Sequence, residues 1–337
     1  MEEHKILVVG AGNMAQEYAR ALDRLQIGSV VLGRGAESAA AYHAATGVMP
    51  GTGPLETQLD ALDGQLPENA IVTVNAMHLA EVTSMLAARG VRRMLVEKPA
   101  ALDLAEMDRL LAAVRPTGAK VFLAYNRRFM ASVRRARQIV AEDGGVLSIK
   151  ADFSEMARRI AQLGKPQREL DTWFYGNSSH VLDLAFHFLG PVRRLDALTA
   201  GTGLVSWHPG ASIFSGSAEA EDGALMSWHA NWAAPGRWGL EVLTPERRLI
   251  LQPLEQLRVQ SHVGFPEVPE ELDLTDETGV KPGLLRQLRA FLFGDEAENL
   301  PDLEEQARNM QHYDVIRTGG SWQSQASLGT AQRAGRG

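Results

Sequence analysis

The sequence predicts a doubly wound, parallel α/β sheet followed by an α+β region built on a large, open, mainly antiparallel sheet. Two observations carry that prediction. Up to about residue 145, short Val- and Ile-rich runs alternate with stretches of helical periodicity, the pattern of βαβ units. Beyond Gly145 the apolar runs lengthen and alternate with polar residues, as strands with one solvated face do. The chain has 337 residues, 45% hydrophobic and 22% charged, an ordinary globular composition with room for two domains.

In the first part, "KILVVG", "SVVLG", "AIVTVN", "RMLVE" and "KVFLAY" read as buried strands, apolar without alternation because helices cover both faces. Between them lie helices with recognisable ends. Asp103 and Glu106 form a capping-box pattern, and Met107, Leu110, Leu111 and Val114 follow at i, i+3, i+4 and i+7. Gly47 and Gly90 fall where two helices should stop. In the second part, "VLSIKADFSE", "ASIFSGSAEA", "ALMSWHANW" and "RRLILQPLEQLRVQ" read as strands, interrupted by one amphipathic helix near residues 178–189. Two more helices are expected around Leu284 to Phe293 and Asp302 to Ile316, and no internal repeat is visible. The expected division is 1–125, then 126–318, with the closing helices free to pack back on the first domain. A Gly-, Ser- and Gln-rich tail, 319–337, is expected to be disordered.

Composition removes several classes of function. No cysteine is present, which excludes disulfides, thiolate catalysis and Cys-based metal centres. No apolar run approaches the roughly 20 residues a membrane helix requires. The opening "MEEHKILVVG" runs from charged residues straight into a strand, leaving no room for a signal peptide, so a cytoplasmic protein is expected. Net charge is −7, which argues against nucleic-acid binding. Locally the balance reverses, with 11 Lys/Arg against 4 Asp/Glu in residues 120–168. That excess reads either as solvated helix faces or as a surface for an anion.

"ILVVGAGNMA" is G-x-G-x-x-A directly after a strand and before a helix. Gly10 permits the tight turn, Gly12 lets backbone approach a pyrophosphate, and Ala15 stands at the helix–strand contact. Backbone N–H groups at the helix start would hold the phosphates. A carboxylate about 20 residues further on would mark NAD; instead the second strand ends at Gly33, Arg34 and, nearby, Ser38. Arginine suits a 2′-phosphate, so NADP(H) is expected over NAD(H). Asn13 and Met14 in the same turn, Asn75 and His78 after the third strand, and Glu97 with Lys98 complete the expected cofactor contacts.

"NSSHVLDLAFHFLG" places His180, Asp183 and His187 at i, i+3 and i+7, on one helical stripe. Such a stripe can hold a divalent metal, or it can handle protons beside a nicotinamide. The cradle favours the second, because hydride transfer from an alcohol must also dispose of a proton, and no metal is expected. "RMLVEKPAAL" ends an apolar strand on Lys98 and Pro99, so the lysine is either a solvated strand end or is presented to a ligand.

These residues resemble the glucose–fructose oxidoreductase / inositol dehydrogenase / MocA-like (Gfo/Idh/MocA) oxidoreductases over roughly residues 4–317. The signatures are G-x-G-x-x-[GA] at the start, E-K-P after the fifth strand, and D-x-x-x-H on a helix of the second domain. The resemblance implies a Rossmann domain and places Lys98, Asp183 and His187 at the nicotinamide and substrate. His187 would then be the principal acid/base, Lys98 would polarise the oxygen or relay its proton, and Asp183 would orient both. Burial and an oxidised nicotinamide would lower the lysine from its usual value near 10.4. The segment "YNRRF", at the end of the family's sixth strand, makes Tyr125, Asn126 and Arg127 pocket candidates. Where the family has a glycine-rich stretch this chain has "NSSH", so Asn177, Ser178 and His180 are expected to reshape the substrate pocket. Trp207, Trp232 and Trp238 suit sugar rings or sheet packing equally.

The expected function is an NADP-dependent oxidoreductase acting on a hydroxyl or keto carbon of a sugar or sugar derivative. The basic excess adds an anionic substrate, such as a sugar nucleotide or sugar acid. A catalytically silent, cofactor-sensing regulator and a metal-dependent sugar isomerase or lyase remain as alternatives. A homodimer or homotetramer through the second sheet is expected, with Phe214, Met226 and Trp228 on its exposed face. Neither a membrane nor a nucleic acid is expected as a partner.

Overall fold

The computed structural model of the chain describes residues 5–62 and 64–324. Two compact units emerge, one from Met1–Phe129 with Leu274–Ala307, the other from Met130–Asp273 with Arg308–Gly337.

The first unit holds β1 (Lys5–Val9), β2 (Gly28–Leu32), β3 (Asn69–Val72), β4 (Arg93–Val96) and β5 (Lys120–Leu123) in the order β2-β1-β3-β4-β5. All pairs are parallel. Helices α1 (Asn13–Arg24), α2 (Ala36–Thr46), α3 (Leu55–Asp60), α4 (Leu79–Ala88) and α5 (Leu104–Val114) connect them. Such connections leave both sheet faces covered, which is why the strands carry no polar alternation. The capping box at α5 is present: Asp103 Oδ1 accepts from the Glu106 N–H at 2.7 Å, and Glu106 Oε2 from the Leu102 N–H at 2.6 Å. Gly47 ends α2 in the left-handed region, and Gly90, at φ 87°, follows α4. The Glu97-Lys98-Pro99 turn follows β4, not a fifth strand, and "YNRRF" follows β5, because this sheet has five strands.

In the second unit lie β6 (Ser148–Phe153), β7 (Val192–Ala200), β8 (Ile213–Ala220), β9 (Leu225–Asn231), β10 (Trp238–Leu243), β11 (Arg247–Leu251), β12 (Arg258–Ser261) and β13 (Val268–Pro269). Helices α6 (Ala131–Glu142), α7 (Ala157–Ile160), α8 (Gln167–Asp171) and α9 (Ser179–Leu189) accompany them. The chain closes with α10 (Leu284–Phe293) in the first unit, then α11 (Leu303–Thr318) and β14 (Gly320–Gln323). The large sheet runs β13-β12-β11-β10-β6-β9-β8-β7-β14, antiparallel except where β6 meets β9. "RRLILQPLEQLRVQ" is two strands, since the Gln252–Pro253 turn separates β11 from β12. The expected unstructured tail is also corrected: Gly320–Gln323 pairs antiparallel with β7 from Arg194 to Ala197. An edge strand needs only a backbone partner, which composition does not reveal. The rest of that tail, 325–337, lies outside the described residues.

The exposed sheet face also differs from expectation. Phe214, Met226 and Trp228 are all buried. Helix α9 lies against β6 and β10, and an aromatic layer of Phe153, Phe174, Phe214 and Trp232 fills that side of the sheet. The opposite face carries Lys150, Ser217, Ser227 and Glu241, with Leu198 77% and Leu225 56% exposed.

In the first unit α10 packs against α1, where Leu284, Leu288 and Phe291 join Ile6, Tyr18, Leu22 and Leu95 in one core. In the second, the buried His312 of α11 lies 5.3 Å from the Phe186 ring and 4.5 Å from that of Trp322 on β14. Burial, with Arg308 adding to it, lowers its pKa to about 4. The unfolded chain therefore binds the proton first, and stability should fall as pH drops from about 6.5 towards 4. Replacing His312 with Phe should remove roughly 3 kcal/mol of that loss, read from chemical denaturation at pH 7 and pH 4.5. An unchanged pH dependence would contradict it.

Candidate functional site

Three loops at the carboxyl edge of the first sheet, with Pro54, Leu55 and Glu56 at the start of α3, line a cleft of about 630 Å³. Gly10–Gly12 follows β1, Gly33–Ser38 follows β2, and Thr73, Asn75 and His78 follow β3. The crevice opens between β1 and β3, where the strand order reverses, the usual ligand position in such sheets. Gly10 has φ 114°, and a Cβ there would stand 2.6 Å from Thr73 Oγ1 and 2.8 Å from Thr73 backbone. Only glycine meets both demands. Gly12 is different: a Cβ would meet nothing within 4 Å, so its backbone faces open space. Helix α1 starts at Gly12 with no side-chain cap and no acidic residue in its first turn, leaving N–H donors for a ligand anion.

The remaining cofactor candidates are placed as follows. Arg34 and Ser38 line the same cleft, both exposed, with Ser38 Oγ donating to Gly35 O at 3.0 Å. Gly33 donates to Gly51 O at 2.8 Å. Asn75 caps the short helix Ala76–His78 by accepting from Met77 N–H at 3.0 Å, and His78 lies 3.4 Å from Glu81. Glu56 and Glu81 also line the cleft. Asn13 and Met14 face a second cavity, which they line together with Lys281.

Glu97 and Lys98, both half-buried, follow β4, and the Lys98–Pro99 peptide is cis. The Tyr18 hydroxyl donates to Glu97 Oε1 at 3.2 Å and lies 3.4 Å from the Gln287 amide. Gln287 in turn accepts from the N–H groups of Tyr125 and Asn126, at 3.1 Å each. Burial pushes the Glu97 carboxyl up, opposed by Lys98, Lys281 and the Tyr18 hydroxyl. Tyr18 is itself pushed well up by burial and by Glu97. Tyr125 is fully buried, Asn126 Nδ2 donates to Pro282 O at 2.8 Å, and Arg127 is half-buried. Asn126 thus fastens a loop within this unit.

The second unit holds its own polar cluster. Helix α9 follows a wide turn at Phe174–Ser178 and is buried nearly all round, with Asp183 and His180 inside and His187 partly exposed. Glu155, just past β6, is 5% exposed and accepts from Asn177 Nδ2 at 2.9 and 3.0 Å and from Ser178 Oγ at 2.9 Å. Burial raises its pKa, against the pull of Asn177 and Ser178. The His180 ring lies 5.9 Å from the half-buried Trp238. Asn177, Ser178 and His180 therefore gather at the start of α9, and His187 lies about 10 Å further along its axis. Glu155 escaped the sequence reading because a lone glutamate in "DFSEM" looks like any solvated loop residue.

A dinucleotide-binding α/β fold is what the first unit's cleft defines. The family described as "Oxidoreductase family, NAD-binding Rossmann fold" (GFO_IDH_MocA) matches residues 4–125. Over that segment the chain is similar to the NAD-binding Rossmann domain of this oxidoreductase family. No curated protein sequence matches the chain. Among solved structures, an oxidoreductase from Agrobacterium radiobacter in complex with NAD+, L-tartaric acid and magnesium has a TM-score of 0.76 at 15% identity, covering 97% of this chain and 100% of that one. Levoglucosan dehydrogenase in complex with NADH gives 0.74 at 17% identity, covering 93% and 95%. UDP-N-acetylglucosamine 3-dehydrogenase from Acidithiobacillus ferrooxidans gives 0.70 at 17% identity, covering 94% and 97%. At these identities the likeness is one of fold, and it extends through both units.

Proposed function

We propose that the chain transfers hydride between NADP(H) and a hydroxyl or keto carbon of a sugar or sugar derivative. The observation that carries the reading is the open backbone at Gly12 in a cleft that also contains Arg34. The end of β2 supplies Gly33, Arg34 and Gly35, with no carboxylate among them to bind a ribose diol, which supports the 2′-phosphorylated cofactor. Sugar substrates are supported by the fold shared with levoglucosan and UDP-N-acetylglucosamine dehydrogenases, and by Trp238 beside His180.

Support for an anionic substrate in the second unit narrows to the exposed Arg158 and Arg159 of α7 and Arg168 of α8. Much of the basic excess is engaged elsewhere: Arg128 with Glu305, Arg135 with Glu142 and Glu270, Lys150 with Glu241, Lys165 with Glu169. The open sheet face, with Leu198, Leu225 and alternating charges, is proposed as an isologous contact with a second copy. A solution mass of one chain, about 36.7 kDa, would contradict that contact.

Bound nicotinamide supplies the hydride acceptor or donor. The proposed work of the side chains is the proton: Lys98 polarises the reacting oxygen, a histidine of α9 takes its proton, and Asp183 orients that histidine. The family resemblance supports His187 in this role, and the polar cluster of Asn177, Ser178 and Glu155 supports His180.

The cofactor claim is tested by calorimetric titration. NADPH should bind more tightly than NADH, and Arg34→Ala should weaken NADPH selectively by about 1.5–3 kcal/mol. Equal wild-type affinities would sink the preference. For the chemistry, sugar nucleotides, sugar acids and polyols are screened by NADPH absorbance, and the variants are then compared on the best substrate. Lys98→Ala and the replacement of the working histidine by Ala should each cut turnover by about 10²–10⁴-fold, with cofactor affinity little changed. Full activity in both His180→Ala and His187→Ala would remove α9 from the mechanism.

A further inference from the structure

Lys281 is not part of the glycine motif, yet its ammonium stands 3.2 Å from Met14 Sδ, in the first turn of α1. A thioether is a weak acceptor for a full positive charge, so this contact positions the ammonium without neutralising it. Around it lies a cavity of about 620 Å³ lined by Asn13, Met14, Glu17, Arg20, Gly279 and Val280. Glu17 is engaged by Arg20 at 2.5 Å. Lys281 is also felt by Glu97 at the end of β4, so it lies within electrostatic range of both the glycine turn and the Lys98 turn.

The backbone that carries Lys281 is fastened on both sides. Upstream, Arg24 donates to the carbonyls of Thr278 at 2.9 Å and Thr275 at 3.3 Å. Downstream, the buried Asn126 holds Pro282 O at 2.8 Å, and Leu284 N–H donates to Lys281 O at 3.0 Å. A cation presented on a fixed backbone loses less freedom on meeting an anion than one on a mobile loop.

We propose that Lys281 is the side-chain cation that binds the diphosphate of the cofactor, completing a cradle that otherwise offers backbone N–H groups. The inference rests on the dinucleotide reading of the first unit, and it assigns a binding residue that lies outside the glycine-rich segment. The diphosphate's charge meets backbone donors from Gly12 onward on one side and the ammonium on the other. The adenosine end is left to Arg34.

The test is calorimetric titration of the full chain with ADP-ribose, which carries the diphosphate but neither 2′-phosphate nor nicotinamide, and with NADP+. Lys281→Met keeps the stem and removes the charge; Lys281→Arg keeps a charge. The methionine variant should bind both probes about ten- to a hundredfold more weakly, with binding less sensitive to added salt than in the wild type, at an unchanged melting temperature. The arginine variant should recover most of the loss. Wild-type affinity in Lys281→Met would overturn the inference while leaving the dinucleotide reading intact. Equal losses in both variants, with a lowered melting temperature, would overturn it too, by making Lys281 a structural residue. Failure of both probes to bind the wild type would overturn the dinucleotide reading and this inference together.

Discussion

The first unit depends on one close approach, that of Gly10 to Thr73. Thr73 N–H donates to Val9 O at 2.8 Å, and its hydroxyl donates to the same carbonyl at 3.2 Å. With β1 and β3 joined this tightly at their ends, no side chain fits at position 10. The chain must turn away at once, and the turn leaves Gly12 facing open space with α1 starting behind it. Ala15, at 0% exposure, then lets α1 lie directly on the strands. Packing, more than any polar contact, sets where an anion can be held.

A second constraint is the buried chain Glu97–Tyr18–Gln287. It ties the end of β4 to α1 and α10, and through Gln287 to the backbone at Tyr125 and Asn126. Each group in it is satisfied by another, as a buried polar network requires. It fixes the turn that carries Lys98 and the loop that carries Lys281 within one unit. That residues 274–307 belong with the N-terminal sheet follows from the same contacts and from the apolar face of α10.

Local chemistry was the legible part of this sequence. The capping box at Asp103, the helix stops at Gly47 and Gly90 and the glycine turn each act over a few residues, and each reads directly from neighbouring letters. Nonlocal facts were not. Alternation in β8 and β9 told which side chains share a face, but α9 and the aromatic layer decide which face is covered, so Phe214, Met226 and Trp228 went to the wrong side. β7 drew no attention because four of its nine residues are polar, and β14 exists only through its pairing with β7. At the site, Gly10, Gly12 and Arg34 stood in a motif, whereas Lys281, Gln287 and Glu155 acquire meaning only from partners distant in the sequence.

The proposed site for a nicotinamide dinucleotide is the cleft between the loops at the first unit's carboxyl edge. Hydrogen–deuterium exchange of the full chain with and without saturating NADPH tests it most directly. Exchange should slow in residues 10–16, 33–38, 73–78 and 279–284, with the outer strands of the large sheet unaffected. Unchanged exchange in the glycine turn, with protection confined to the second unit, would contradict it.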